Sequence, residues 1–213
     1  MLISDTELEE RLRDGMHALG ASTDNGEAGT LARLLVMLDK WNKAFNLTAV
    51  RDPREMIGRH VLDSLAVRPY LHGASILDVG TGAGFPGLAL AVTEPQRQFC
   101  LLDSGGKKVR FVRHAVAELE LENVEVVQSR VESYAAPDPY DTVVCRAFSS
   151  IGEFVDRCAA LVARGGRLVA MKGRMPHDEL TGLPVSWSVT QADRVAVPGV
   201  PGDRHIIVLE RSD

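Results

Sequence analysis

Ser75-Ile-Leu-Asp-Val-Gly-Thr-Gly-Ala-Gly-Phe-Pro-Gly87 decides the fold of this chain. Ile76 to Val79 form a short apolar run that passes directly into glycine at positions 80, 82, 84 and 87. A strand ending in closely spaced glycines can turn tightly, because no Cβ obstructs the backbone. A ligand can then approach the main chain and the start of the helix that follows. That helix is expected around Ala89 to Val92, with Glu94-Pro95 stopping it. The next apolar run, Phe99 to Leu102, ends in Asp103. It lies about 20 residues beyond Gly82, where nucleotide-binding α/β folds place an acid against ribose hydroxyls. Strand, glycine turn, helix, strand and acid together read as an adenosine-binding half-fold.

Gly82-Ala-Gly84-Phe-Pro-Gly87 fits the dinucleotide pattern G-x-G-x-x-G, a weak signal when it stands alone. Asp78, two residues before the first glycine, favours S-adenosylmethionine (SAM) instead. A carboxylate there can organise the loop and face a cationic ligand, whereas it would repel a pyrophosphate. The run Asp78-Val-Gly-Thr-Gly-Ala-Gly84 resembles the first motif of Rossmann-type methyltransferases.

Working outward, the alternation continues. Strands are expected at Val124–Val127, Thr142–Cys145 and Leu168–Met171, with helices at Lys107–Leu119 and Ile151–Val162, the latter closed by Gly165-Gly166. Such alternation implies a parallel sheet with right-handed crossovers. The tail departs from it. Val185, Trp187 and Val189 alternate, Pro198 to Gly202 turn, and His205–Leu209 form a strand, so a C-terminal antiparallel hairpin is expected. The fold class is a Rossmann-like, seven-stranded, mostly parallel methyltransferase sheet.

Residues up to about Tyr70 carry helical periodicity only. Leu8, Leu12 and Met16 share one face, as do Leu31, Leu34, Leu35 and Leu38, with Asn25-Gly26 and Gly29 between the two helices. A third helix is expected after Asp52-Pro53, burying Ile57, Val61 and Leu65. Residues 1–72 are thus read as a helical cap and 73–213 as the SAM-binding domain, packed as one compact unit.

The 213 residues are 45% hydrophobic and 25% charged, with net charge −5, which fits a soluble globular protein and argues against an indiscriminate nucleic-acid coating protein. No apolar run is long enough to span a bilayer, and the acidic start lacks a signal-peptide pattern. Three cysteines without metal-ligand spacing suggest a reducing compartment, so the expectation is a cytoplasmic protein with no metal. A monomer is expected.

Ligands of open α/β sheets bind outside the carboxyl ends of the strands. The residues found there are Gly80 to Gly87, Asp103, Gln128-Ser-Arg-Val-Glu132, Arg146 and Lys172-Gly-Arg174. Arg146 offers a guanidinium fork for a ligand carboxylate or an RNA phosphate. Basic residues at Lys107, Lys108, Arg110 and Arg113, and at Arg59 with His60, form a candidate phosphate-contacting rim. Cys145-Arg-Ala-Phe148 replaces the Asp/Asn-Pro-Pro-aromatic motif of amino-directed DNA methyltransferases, and Cys145 reads as a buried strand cysteine, not as a nucleophile. No catalytic base is evident. Guanine N7 suits such a site, because it presents a lone pair without losing a proton.

The resemblance to one family is specific. Trp41-Asn-Lys-Ala-Phe-Asn-Leu-Thr48, Arg51-Asp-Pro, Arg59-His60, Leu62-Asp-Ser64, Asp78 to Gly87, Leu101-Leu-Asp-Ser104, Gln128-Ser-Arg-Val-Glu132, Arg146-Ala-Phe148, Lys172-Gly173 and Arg204-His205 resemble the RsmG (GidB) family, from about residue 41 to the C-terminus. The resemblance implies a SAM-dependent enzyme that methylates guanine N7 in 16S ribosomal RNA of the small subunit, near the decoding region. It implies cofactor contacts at Gly80, Phe85, Val131, Glu132 and Arg146. The residues themselves add Asp78, Gly82, Gly84 and Asp103 for the cofactor, and Arg59, His60, Lys107, Arg113, Lys172 and Arg174 for RNA. The alternatives are a SAM-dependent methyltransferase acting on a small molecule, and a SAM- or nucleotide-binding module without catalysis.

Overall fold

The computed structural model describes residues 3–21, 26–146 and 148–212; Asn25 and Ala147 of the sequence reading lie outside them. The chain opens with helices α1 (Asp5–Ala18) and α2 (Glu27–Phe45). The Ser4 hydroxyl accepts the Glu7 N–H at 3.2 Å and so caps α1. Gly29, expected as a separator, lies inside α2, because the helix begins directly after the left-handed Gly26. Asp52 caps α3 (Pro53–Met56) by accepting the Arg54 N–H at 2.9 Å. A π-helical turn, Ile57–Leu62, and α4 (Asp63–Leu65) continue the same segment.

The sheet then builds outward from its centre. Strands β1 (Ser75–Val79), β2 (Gln98–Asp103), β3 (Val124–Gln128), β4 (Tyr140–Cys145) and β5 (Val162–Lys172) run parallel, and at one edge β7 (His205–Arg211) runs antiparallel to both β5 and β6 (Trp187–Arg194). The strand order is β3-β2-β1-β4-β5-β7-β6. Helices α5 (Gly87–Thr93), α6 (Gly106–Glu118) and α7 (Ile151–Cys158) are the crossovers, and α8 (His177–Leu180) follows β5. The chain moves outward through β2 and β3, then returns to the other side of β1 with β4. The reversal between β1 and β4 is the topological switch point, where ligands of this architecture bind.

Two expectations about this region are corrected. The helix expected over 151–162 ends at Cys158 in a 3-10 turn, Ala159–Leu161, and β5 already begins at Val162. Gly165-Gly166 therefore lies within the strand, at an irregularity where Tyr140 pairs Val162 but Thr142 pairs Arg167. Gly165 is left-handed, and a Cβ on Gly166 would stand 2.8 Å from the Asp141 carbonyl. The second correction concerns Val185, which is 98% exposed and precedes β6 instead of alternating within it.

The cap belongs to one face of the sheet. Leu31, Leu34 and Leu38 of α2 share a buried cluster with Phe111 and Val112 of α6, Leu88 of α5 and Val144 and Val169 of the sheet. The other face packs Ile151, Phe154 and Val155 of α7 against Leu77, Val143 and Leu168.

Candidate cofactor site and adjoining basic cavity

The glycine turn is organised by two carboxylates. Asp78 is fully buried, and its Oδ2 accepts the Gly87 N–H at 2.8 Å, which ties the strand to the first residue of α5. Burial pushes its carboxyl up to about 6. Asp103, at the end of β2, accepts the Gly82 N–H on Oδ2 at 2.9 Å and the Gly105 N–H on Oδ1 at 2.7 Å. It thereby clamps the turn after β1 to the turn after β2. Each carboxylate oxygen has capacity for more than one hydrogen bond, so Asp103 can still receive hydroxyls.

Above these turns lies a cavity of about 490 Å³ lined by Gly80, Asp103, Lys108, Val131, Glu132 and Arg157, among others. That volume lies within the usual range for small-molecule and cofactor sites. Gly80 is left-handed, and among the described residues no atom beyond its chain neighbours lies within 4 Å of where its Cβ would project, so a ligand can approach the backbone there. Of the residues expected to bind cofactor, Gly80, Asp103, Val131 and Glu132 line this cavity, and Gly82 is held by Asp103. Gly84 and Phe85, in the turn itself, are buried and do not line the cavity. A Cβ on Gly84 would meet Leu88 at 2.2 Å, and the Phe85 ring is buried and stacks on His60 with centroids 5.0 Å apart.

Arg146 lines a second cavity, of about 340 Å³, together with Arg59, His60, Asp63, Lys172, Arg204 and His205. Buried Asp63 explains this placement. Its Oδ1 lies 2.9 Å from Arg204 Nε and its Oδ2 lies 3.7 Å from Arg146 Nη1. Lys172 pairs with Glu179 at 2.9 Å.

The expected RNA-facing residues divide. Arg59 and Lys172 line the second cavity, whereas Arg174, Lys107 and Arg113 are exposed outside both. His60 is buried: its Nε2 lies 3.1 Å from Thr48 Oγ1 and its ring lies on Phe85. Burial and the neighbouring Arg146 lower its pKa to about 4, so the imidazole is neutral and offers no cation to a phosphate. Lys108, expected in the phosphate-contacting rim, lines the first cavity, whereas Arg157 there and Asp63 and Arg204 in the second received no role from spacing alone. Buried Cys145 has its thiol pushed well up by burial, which removes it as a thiolate nucleophile.

Comparison with known proteins decides the family. The GidB model, described as rRNA small subunit methyltransferase G, matches residues 28–207. The chain belongs to this family. It is 48% identical over 191 residues to the ribosomal RNA small subunit methyltransferase G of Salmonella arizonae, covering 90% of this chain and 92% of that one. The Idiomarina loihiensis protein of the same name is 49% identical over 178 residues, with coverage of 84% and 86%. Among solved structures, TrmN from Thermus thermophilus shares the fold at TM-score 0.55 and 17% identity, covering 73% of this chain and 53% of that one. The residues of the first cavity fit the SAM expected of such an enzyme, with an open glycine backbone at Gly80 and the strand-end carboxylate of Asp103.

Proposed function

We propose that this protein transfers a methyl group from SAM to N7 of a guanine in 16S ribosomal RNA of the small subunit. The observation that carries the reading is the pair of cavities lined from the ends of β1 and β2 on one side and of β4, β5 and β7 on the other side of the switch point, in a chain of this family. The first fits an adenosine-type cofactor, with Asp103 toward the ribose and Val131 and Glu132 toward the adenine. The second is basic and suits an RNA acceptor. Bound SAM supplies an electrophilic methyl on a sulfonium.

The protein's own part is positioning and exclusion of water. N7 presents a lone pair, so no side chain has to remove a proton, and the neutral His60 and protonated Cys145 are consistent with that. The free buried thiols Cys100, Cys145 and Cys158 support action in the reducing cytoplasm. Among the described residues no helix is long and apolar enough to cross a membrane. Exposed large apolar side chains among the described residues are Val36, Phe45 and Val185, a scatter that supports a monomer.

The test is methyl transfer from labelled SAM to 30S particles and to total RNA from a strain lacking the gene, with the modified base identified. N7-methylguanine in 16S RNA is the expected product. SAM binding with no transfer to any RNA would overturn the reading in favour of a small-molecule acceptor.

A further inference from the structure

The second cavity has an unbalanced charge. Arg146 and Arg204 reach it from opposite parts of the chain, the end of β4 and the residue before β7, and both turn toward one carboxylate, Asp63. Arg59 and Lys172 carry their own partners, Glu55 at 3.5 Å and Glu179 at 2.9 Å. Two guanidiniums sharing one carboxylate leave one positive charge over. Asp63 is 9% exposed at its side chain, whereas Arg146 and Arg204 are 29% and 28% exposed, so the buried anion anchors two cations that still face the opening.

The geometry fixes the rest of each guanidinium as well. Arg146 Nη1 donates to the Arg59 carbonyl at 3.2 Å, and Arg204 Nη1 donates to the Asp203 carbonyl at 2.7 Å. Each fork is therefore held from one side. A cavity with surplus guanidinium charge is built for an anion with several acceptor oxygens.

We propose that Arg204, held by Asp63 beside Arg146, forms a phosphate subsite that grips the backbone phosphate beside the target nucleotide. This rests on the RNA reading above and deepens it. The cofactor-side cavity lies over β1 to β3, and the phosphate subsite lies over β4 to β7. A nucleotide anchored here is presented from the side opposite Asp103, across the switch point. Asp63 is a positioning residue, and it reaches the acceptor only through Arg204.

The experiment measures methyl transfer to unmethylated 30S particles across a salt series with the full-length protein and its Arg204→Gln and Arg204→Lys variants. Calorimetric SAM affinity is the control for folding. Losing one phosphate contact raises the KM for 30S roughly tenfold or more in Arg204→Gln and lowers the log–log salt slope by about 0.7. SAM affinity stays unchanged. Arg204→Lys keeps the salt slope but regains only part of the affinity, because an ammonium cannot fork. An unchanged KM and salt slope in Arg204→Gln would overturn the subsite, as would a parallel loss of SAM affinity.

Inorganic phosphate separates the two sources of the anion. Phosphate that binds the wild type but not Arg204→Gln, with the 30S salt slope unaltered, would make this a free-phosphate site and refute the RNA assignment. If the wild type methylates no RNA at all, the proposed activity fails. Arg204-dependent phosphate binding then supports the subsite, and its absence overturns it.

Discussion

The two cavities are built by opposite means. The cofactor-side cavity is made of contiguous stretches, in which each strand end runs straight into the loop that lines it, and the carboxylates that organise its turns accept backbone N–H groups. The second cavity gathers Arg59 and Asp63, Arg146, Lys172 and Arg204 from four separated places and is held by side-chain charge. A backbone-built site is rigid and general, suited to a cofactor that many enzymes share. A side-chain-built site can be tailored to one acceptor. Its members hold each other in place, so damage to one is felt by the others.

The largest expected effect lies where the two regions join. Phe85 belongs to the glycine turn and His60 to the cap, and their stacked rings connect the halves. Phe85→Ala removes a fully buried ring and should cost about 3–5 kcal/mol of stability, read by urea unfolding. A loss below about 1 kcal/mol would show that cap and turn are independent. We propose on the same ground that residues 1–72 and 73–213 unfold in one transition.

A second comparison pits the two regions against each other through pH. Asp78 keeps its proton to about 6 in the folded chain but only to the ordinary 3.8 when unfolded. The native state binds the extra proton in that window, so this group's contribution to stability falls as pH rises from about 4 to 6. His60 does the reverse. Folded, it titrates near 4 and unfolded near 6.5, so the unfolded state binds the extra proton and stability rises over that range. The two contributions oppose each other in the wild type. Asp78→Asn removes the first, and its urea-unfolding stability should climb more steeply between pH 4 and 6 than that of the wild type. Identical pH profiles would remove the buried, proton-holding Asp78 from the account.

The smallest effect is expected at the periphery. Lys107 is exposed on α6 and outside both cavities. Lys107→Ala should leave stability within about 0.5 kcal/mol and weaken 30S binding by no more than about threefold, with a shallower salt dependence. A loss as large as that from Arg204→Gln would move the RNA contact from the second cavity to α6.

The same contrast explains what was legible in the sequence. Gly80 to Gly87 and Asp103 could be read because turn, strand end and acid are bound by short spacing, and the alternation of strands and helices followed from hydrophobic period alone. Asp63 and Arg204 are 141 residues apart. No local pattern announces that they touch, and each taken alone reads as a surface charge. His60 looked cationic because it follows Arg59, and only its burial on Phe85 reveals a neutral packing residue. The N-terminal signature around Trp41 to Thr48 had no visible purpose either. In the structure Asn42 accepts the Thr48 N–H at 2.9 Å and donates to the Val50 carbonyl at 3.0 Å, and Thr48 in turn meets His60. Those residues hold His60 in place beside the second cavity. Gly165-Gly166 misled for a related reason, because a glycine pair marks a helix end and a strand irregularity equally well.

The central claim is that cofactor and acceptor are held by separate machinery on either side of the switch point. Calorimetric titration of SAM into Asp103→Ala and Arg204→Gln, run side by side with the wild type, tests it most directly. The account predicts at least a roughly tenfold loss of SAM affinity for Asp103→Ala and a value within about twofold of wild type for Arg204→Gln. Full SAM affinity in Asp103→Ala, or an equal loss in both variants, would contradict it.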